Sequence, residues 1–176
     1  MVKITSEPKN TLDRLDWRIL EVLQEDGRVT FTELGRRVGL STPAAAERVR
    51  QLEAAGVIVG YRAQVDLARI GRPILAIVRM NVVGDVLARV TTTVREMPEV
   101  LECYRGTGAD SFTAKIAVAS IEDLEHLIDQ LTPFGTTSTS IVLSMPVPSR
   151  ALSPPRSDAG KSRSAVTPRR RQRAPN

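Results

Sequence analysis

Three patterns along the 176 residues predict an α+β protein in two parts. Apolar residues at helical spacing run up to Gly27, Gly39 and Gly56, and strand-like and helix-like stretches then alternate from Pro73. From Ser149 onward there is no periodicity. Glycine enters the left-handed conformation cheaply, so a glycine just past a periodic apolar run marks a helix C-terminus.

Residues 1–11 are polar and read as a flexible arm. Leu12, Leu15, Ile19, Leu20 and Leu23 then form the stripe of a first helix, which ends at Asp26-Gly27. Thr30 and Glu33 have the spacing of a capping box, opening a second helix through Leu34 and Val38 to Gly39. After the turn Gly39-Leu40-Ser41-Thr42, Ser41 caps a third helix, Pro43 is tolerated in its first turn, and Gly56 stops it. Val57–Val65 reads as short β structure. Residues 12–66 therefore predict a winged helix-turn-helix, followed by a linker over 67–72.

In the second half, 73–83 alternates with Ile74, Ala76, Val78, Met80 and Val82 on one face and Arg79 and Asn81 on the other. Val86, Val90, Val94 and Met97 are spaced as a helix over 85–97, and 100–105 reads as a short strand. Residues 111–119 place Phe112, Ala114, Ile116 and Val118 inward. Ile121, Leu124, Leu127, Ile128 and Leu131 mark a helix over 120–131, and 136–145 reads as a last strand. The order β-α-β-β-α-β predicts a ferredoxin-like domain over 73–148, with both helices on one side of a four-stranded sheet. Leu75, Ile77, Tyr104 and Val142 on the other side invite a partner sheet, hence a homodimer.

Charge is unevenly placed. Of the net +5, the stretch 149–176 carries eight Lys/Arg against Asp158 alone, and its Pro-, Ser- and Arg-rich composition reads as a basic disordered tail. Residues 1–66 carry ten Lys/Arg and ten Asp/Glu. The single Cys103 excludes an internal disulfide and suits a reducing cytoplasm. No apolar run is long enough for a membrane span, and the first residues lack a signal-peptide core. His126, the lone histidine, supplies neither a zinc site nor a catalytic triad, so no enzyme is expected.

A helix-turn-helix sets its second helix into the DNA major groove. On the third helix of this chain, Ala45, Val49 and Leu52 fall inward and Ala44, Glu47, Arg48 and Gln51 form the opposite stripe. In that position Arg48 suits a guanine edge or a phosphate, Gln51 an adenine and Glu47 a cytosine. Ser41 and Thr42 at the helix start suit phosphate contact, with Arg36, Arg37, Arg50 and Arg62 flanking. Farther along, Gly106-Thr107-Gly108-Ala109-Asp110-Ser111 joins two strands. Its glycines expose backbone N–H groups suited to a carboxylate, and Asp110 suits an ammonium.

Leu12-Asp13, Asp16, Ile19-Leu20, Asp26-Gly27-Arg28, Glu33-Leu34, Val38-Gly39-Leu40-Ser41, Arg48-Val49, Leu52-Glu53 and Gly56-Val57-Ile58 together form one composite pattern. With Val100–Tyr104, Thr107-Gly108 and Ile141-Val142-Leu143, this chain resembles the leucine-responsive regulatory protein/AsnC (Lrp/AsnC) family of transcription regulators over roughly 12–147. The resemblance implies a DNA-binding domain followed by a RAM-type domain that binds an amino-acid effector and assembles dimers, often into octamers. It places the effector at the Gly106–Ser111 loop, with Thr137 and Thr139 at hydroxyl positions lining the same pocket. Two positions depart from the family pattern: Ser111 and Ser120 stand where acidic residues are usual. The rival readings are a DNA-coating architectural protein in the nucleoid and, on the same two-domain layout, a sirohaem decarboxylase, against which the single histidine argues.

Overall fold

A computed structural model describes residues 12–82 and 84–154. Of these, 12–61 together with 150–154 form one compact unit and 62–149 a second. The basic residues from Arg156 onward lie outside the described residues.

The first unit holds α1 (Arg14–Glu25), α2 (Phe31–Val38) and α3 (Thr42–Ala54). Ile19, Leu34, Val38, Ala45, Val49 and Leu52 form its core, drawn from the amphipathic face of each helix, with Leu15, Leu23 and Ile58 packed at the margin. Ser41 caps α3 by accepting from the Ala44 N–H at 3.4 Å, and Pro43 sits in the first turn. The turn itself depends on two glycines. Gly39 closes α2 in the left-handed region at φ 80°, while the Gly35 carbonyl accepts from both Gly39 and Leu40 at 2.8 Å. A Cβ on Gly35 would stand 2.6 Å from the Leu40 carbonyl oxygen, so this helical glycine lets the turn fold back against α2.

Three local expectations are corrected. Gly27 does not end α1 in the left-handed region, because the helix stops at Asp26 in extended backbone. Thr30 caps α2, but Glu33 does not reach back to it; its carboxylate is taken by Arg36 and Arg37 instead. Residues 57–65 form no strand: Val57 and Ile58 pack half-buried against the helices and Val59 is exposed, without a neighbouring strand to pair with. A single extended segment cannot satisfy a ladder alone, which is why its apolar composition misleads.

The second unit is β1 (Ile74–Val82), α4 (Leu87–Glu96), β2 (Val100–Arg105), β3 (Phe112–Val118), α5 (Ile121–Leu131) and β4 (Gly135–Ile141), with a short 3-10 turn at Thr132–Phe134. The strands lie in the order β2-β3-β1-β4 and all neighbours are antiparallel, giving the expected ferredoxin-like arrangement. Ala76, Val78, Met80, Phe112, Ala114, Ile116 and Val118 face Val90, Val94, Leu124, Leu127 and Leu131 across the core. Ser120 and Asp123 cap α5 reciprocally. Ile121, read as part of the apolar stripe, is exposed. The stretch read as a linker is a built turn, with Asp66 accepting from the Ala68 and Arg69 N–H groups and Arg72 donating to the Pro98 carbonyl at 2.8 Å.

Gly35→Ala should lower stability by about 1–3 kcal/mol, the usual range for overpacking against fixed backbone. Urea unfolding followed by circular dichroism measures it; an unchanged midpoint would mean the turn does not need this close approach.

Candidate functional site

The N-terminus of α1 and the middle of α3 are joined by one polar cluster. Asp13 caps α1, its Oδ1 accepting from the Leu15 and Asp16 N–H groups at 2.8 Å each, and Asp16 Oδ2 accepts from the Asp13 N–H at 3.0 Å. Both carboxylates also accept from Arg48: its Nε donates to Asp16 Oδ1 at 2.7 Å and its terminal nitrogen to Asp13 Oδ2. Asp16, 8% exposed, is the only buried charged residue among those described. Acidic groups at a helix N-terminus are favoured by its dipole, and a guanidinium fork satisfies two carboxylates at once. The Asp16 N–H, helped by Arg48 and the Leu15 N–H, holds the Asp13 carboxyl below its ordinary range.

This cluster corrects the expectation for Arg48. Residue spacing places it on the exposed stripe, but the side chain is half-buried and its guanidinium is committed to α1. Ser41, Thr42, Ala44, Glu47, Arg50 and Gln51 are exposed. They leave a continuous surface along the start and outer side of α3, with Ala45, Val49 and Leu52 buried beneath. Here Arg50 pairs with Glu47 at 2.8 Å and Gln51 Nε2 donates to Glu47 Oε1 at 3.3 Å. On α2, Arg36 and Arg37 both bind Glu33, at 2.7 and 2.8 Å, which pulls the Glu33 carboxyl down to about 2. Beyond α3, burial and a 2.9 Å bond donated to Glu53 push the Tyr61 phenol up to about 12.

In the second unit the loop after β2 is pinned at both ends. The Gly106 N–H donates to the Ser111 carbonyl at 3.1 Å, and the Ser111 N–H donates to the Met80 carbonyl at 2.8 Å. Ser111 Oγ accepts from the Val82 N–H at 3.4 Å, so Ser111 stitches the loop to β1. Thr107, Gly108 and Asp110 are exposed, and Gly108 alone in this loop takes a positive φ, 117°. The Asp110 carboxylate lies 4.0 Å from Arg79 Nε on β1.

Thr137 and Thr139 are not brought to this group. They pair with Met80 and Val78 and so lie on the helix-facing side of the sheet, whereas Arg79 pairs with Ser138 on the opposite side. Arg79 also donates to Ser140 Oγ at 3.4 Å. The β4 hydroxyls sharing a face with Arg79 are therefore Thr136, Ser138 and Ser140. Strand alternation alone places Arg79 on the polar face of β1, and only strand register shows that it meets Asp110 of this loop. Cys103 points inward and burial raises its thiol. No group of three potential metal ligands occurs among the described residues.

Residues 12–53 match the AsnC-type helix-turn-helix domain, and residues 75–152 match the Lrp/AsnC ligand binding domain. These two modules on one chain define a DNA-binding transcription regulator of the two-domain kind. The HTH-type transcriptional regulator LrpC of Bacillus subtilis (strain 168) is 37% identical over 133 residues, spanning 76% of this chain and 92% of that protein. The leucine-responsive regulatory protein of Escherichia coli (strain K12) is 34% identical, spanning 74% and 81%. Among solved structures, B. subtilis LrpC superposes with a TM-score of 0.74 at 36% identity, covering 77% of this chain and 97% of that one. The transcriptional regulator NMB0573 of Neisseria meningitidis, in complex with L-Met, gives 0.76 at 31% identity, covering 81% and 96%. The chain belongs to the Lrp/AsnC family. That membership sets aside the decarboxylase reading: it is a family of regulators, not enzymes.

Two outcomes are expected from this geometry. Arg48→Ala strands the nearly buried Asp16 carboxylate and should cost about 1–3 kcal/mol, whereas exposed Gln51→Ala should stay within about 0.5 kcal/mol. Denaturant midpoints of the two variants decide; equal midpoints would mean the clasp does not hold α3. Secondly, a carboxyl held below its unfolded value stabilises the fold above that value and loses the contribution as pH falls. For Glu33 the window runs from the ordinary 4.5 down to about 2. Stability of Glu33→Gln should therefore fall less steeply than wild type across this window, and parallel curves would remove the role of the pair.

Proposed function

We propose that this regulator reads DNA with the exposed side of α3 and that a small amino acid, bound at the loop 106–111, alters its DNA binding or its assembly. The observation that carries the reading is the α2–turn–α3 hairpin, whose outer surface holds Ser41, Thr42, Ala44, Glu47, Arg50 and Gln51 over a packed inner side. Ser41 and Thr42, at the N-terminus of α3, suit a phosphate, where the helix dipole and unpaired N–H groups favour an anion. Gln51 suits an adenine edge and Glu47 a cytosine amine. Arg50 is released toward phosphate when Glu47 turns to a base, because the pair is solvent-exposed and therefore weak. Arg48 is assigned to positioning α3 and not to base contact.

An amino acid is a zwitterion, and the loop offers both complements. Asp110 suits the ammonium, while Arg79 and the backbone N–H groups around Gly108 suit the carboxylate. At 4.0 Å and with both side chains nearly half exposed, the Arg79–Asp110 pair is loose enough to open around a ligand. The L-Met complex of the related N. meningitidis regulator supports this ligand class. By the family resemblance Ser111 and Ser120 stand where acidic residues are usual, which leaves Asp110 as the acid of the loop.

A homodimer, built further into an octamer, completes the reading. Leu75, Ile77 and Tyr104 lie on the sheet face turned away from the helices, and Tyr104 is 60% exposed. Such a face is suited to cover by a second copy, which also matches a helix-turn-helix to two half-sites.

DNA binding titrated against a panel of amino acids at fixed salt tests the effector. One or two amino acids should shift the affinity or the assembly state, and Asp110→Asn with Arg79→Ala should abolish that shift while binding without effector is kept. Indifference of the wild type to every amino acid would reduce the loop to a structural turn.

A further inference from the structure

A second stripe on α1 stands apart from its core-facing side. Trp17, Leu20 and Gln24 follow one another at three- and four-residue spacing, so they share one face of the helix. The Trp17 indole is half-buried, yet it is not among the apolar residues packed on the core of Ile19, Leu34 and Val49. With Leu20, Leu23, Val57, Ile58 and Tyr61 it lines a largely apolar cavity of about 290 Å³. The wall opposite α1 is held in place from α3. The Val57 and Ile58 N–H groups both donate to the Leu52 carbonyl, at 2.9 and 3.2 Å, and the Tyr61 hydroxyl donates to Glu53 at 2.9 Å.

Leu152 closes this cavity, and Gln24 holds it there. Gln24 Oε1 accepts from the Leu152 N–H at 2.8 Å and Gln24 Nε2 donates to the Leu152 carbonyl at 3.2 Å. A primary amide carries an acceptor and donors side by side, so it pairs with both main-chain groups of a single residue. The same Nε2 donates to the Leu20 carbonyl at 3.1 Å, which fixes the direction of the amide. The Leu152 side chain is 72% exposed, so the grip is on the main chain and not on the leucine. Among the described residues, these are the hydrogen bonds that 150–154 make. The segment is attached at one point, through two neutral, exposed bonds that open far more readily than the unit unfolds.

The chain leaves the helical unit after Tyr61, builds the whole second unit, and comes back to the helical unit at Arg150. With Leu152 seated, the second unit is joined to the helical unit at both of its ends; with Leu152 free, it is joined only through 61–62. We propose that residues 150–154 are a releasable strap: the Gln24 amide and the cavity beside it form a seat for main chain, and this chain's own Leu152 fills it. Filling the seat sets whether the helical unit is tethered twice or once. Val142 is still fixed to β1, its N–H donating to the Leu75 carbonyl at 2.8 Å, so only 143–149 is left to span back to the strap. A short connection gives a high effective concentration, and the strap closes without help from a second molecule. Units joined by one flexible link move independently by default; the second tether cuts that motion and release restores it.

The wild type, Gln24→Ala, Leu152→Pro and Leu152→Ala are compared as full chains without DNA or amino acid. Alanine at an exposed helical position keeps α1 intact, and Leu152→Pro removes the N–H donor from outside every helix and strand. Trp17, the single tryptophan, reports the seat directly. Its emission should shift to the red and its quenching by acrylamide rise in Gln24→Ala and in Leu152→Pro, and neither should change in Leu152→Ala. Amide exchange at Leu152 should be slower in the wild type than in Gln24→Ala by on the order of tenfold. Nitrogen-15 relaxation should show α1, α2 and α3 tumbling faster in Gln24→Ala and Leu152→Pro than in the wild type. If those two variants keep the wild-type quenching and tumbling, the strap holds nothing. If Leu152→Ala behaves like Leu152→Pro, the side chain and not the main chain is what the seat takes. Leu152 protection that falls on dilution would put a second copy's strap in the seat. Each of these three results overturns the proposal.

Discussion

The orientation of α3 depends on one guanidinium. Arg48 leaves the middle of α3 and ends on the two carboxylates that also cap α1, so three requirements are met by one cluster: the free N–H groups at the start of α1, the nearly buried charge of Asp16, and the angle between the helices. A buried carboxylate is expensive without partners, and here its partners come from two different helices. Small rotations of α3 about its own axis would strand Asp16. The hydrophobic core of Ile19, Leu34, Val49 and Leu52 supplies cohesion, but apolar contacts are tolerant of rotation; the clasp is directional.

The same economy of charge runs through the DNA-binding unit. Its arginines on α2 and α3 are spent on carboxylates of the same unit, at Glu33, Glu47, Asp13 and Asp16. Exposed pairs such as Glu33–Arg36 contribute little each and yield readily to a phosphate. Such a surface discriminates by shape and hydrogen bonding more than by bulk attraction. The excess positive charge of the sequence lies outside this unit, beyond residue 154.

Much of this architecture is legible in the residues, and the failures have physical causes. The helices ending near Gly39 and Gly56, β2 and the sheet core from Ala76 to Val118 follow from periodicity, because burial on one face leaves a local record. Val57–Val65 carries strand-like composition without a strand, since pairing depends on a neighbour that composition does not report. Arg48 falls on the outer stripe of a helical wheel, yet a long side chain travels several ångströms from its Cα to meet a partner 32 residues away in sequence. Thr137 and Thr139 are misplaced relative to the loop for a related reason: register decides the face, and a shift of one residue exchanges Thr137 for Ser138. Capping residues fare better where the partner is three positions away, although Glu33 prefers two arginines on its own helix to the Thr30 backbone.

In the proposed reading α3 meets DNA with its outer surface while Arg48 stays in the clasp. Nitrogen-15 NMR of the chain with and without a specific duplex tests it directly, through the Arg48 Nε–H and the Gln51 side-chain amide. On this account the Gln51 amide signals move on DNA addition and the Arg48 Nε–H signal stays in place. A displaced Arg48 signal with Gln51 unmoved would show that the clasp opens for the DNA, and that Arg48 reads it.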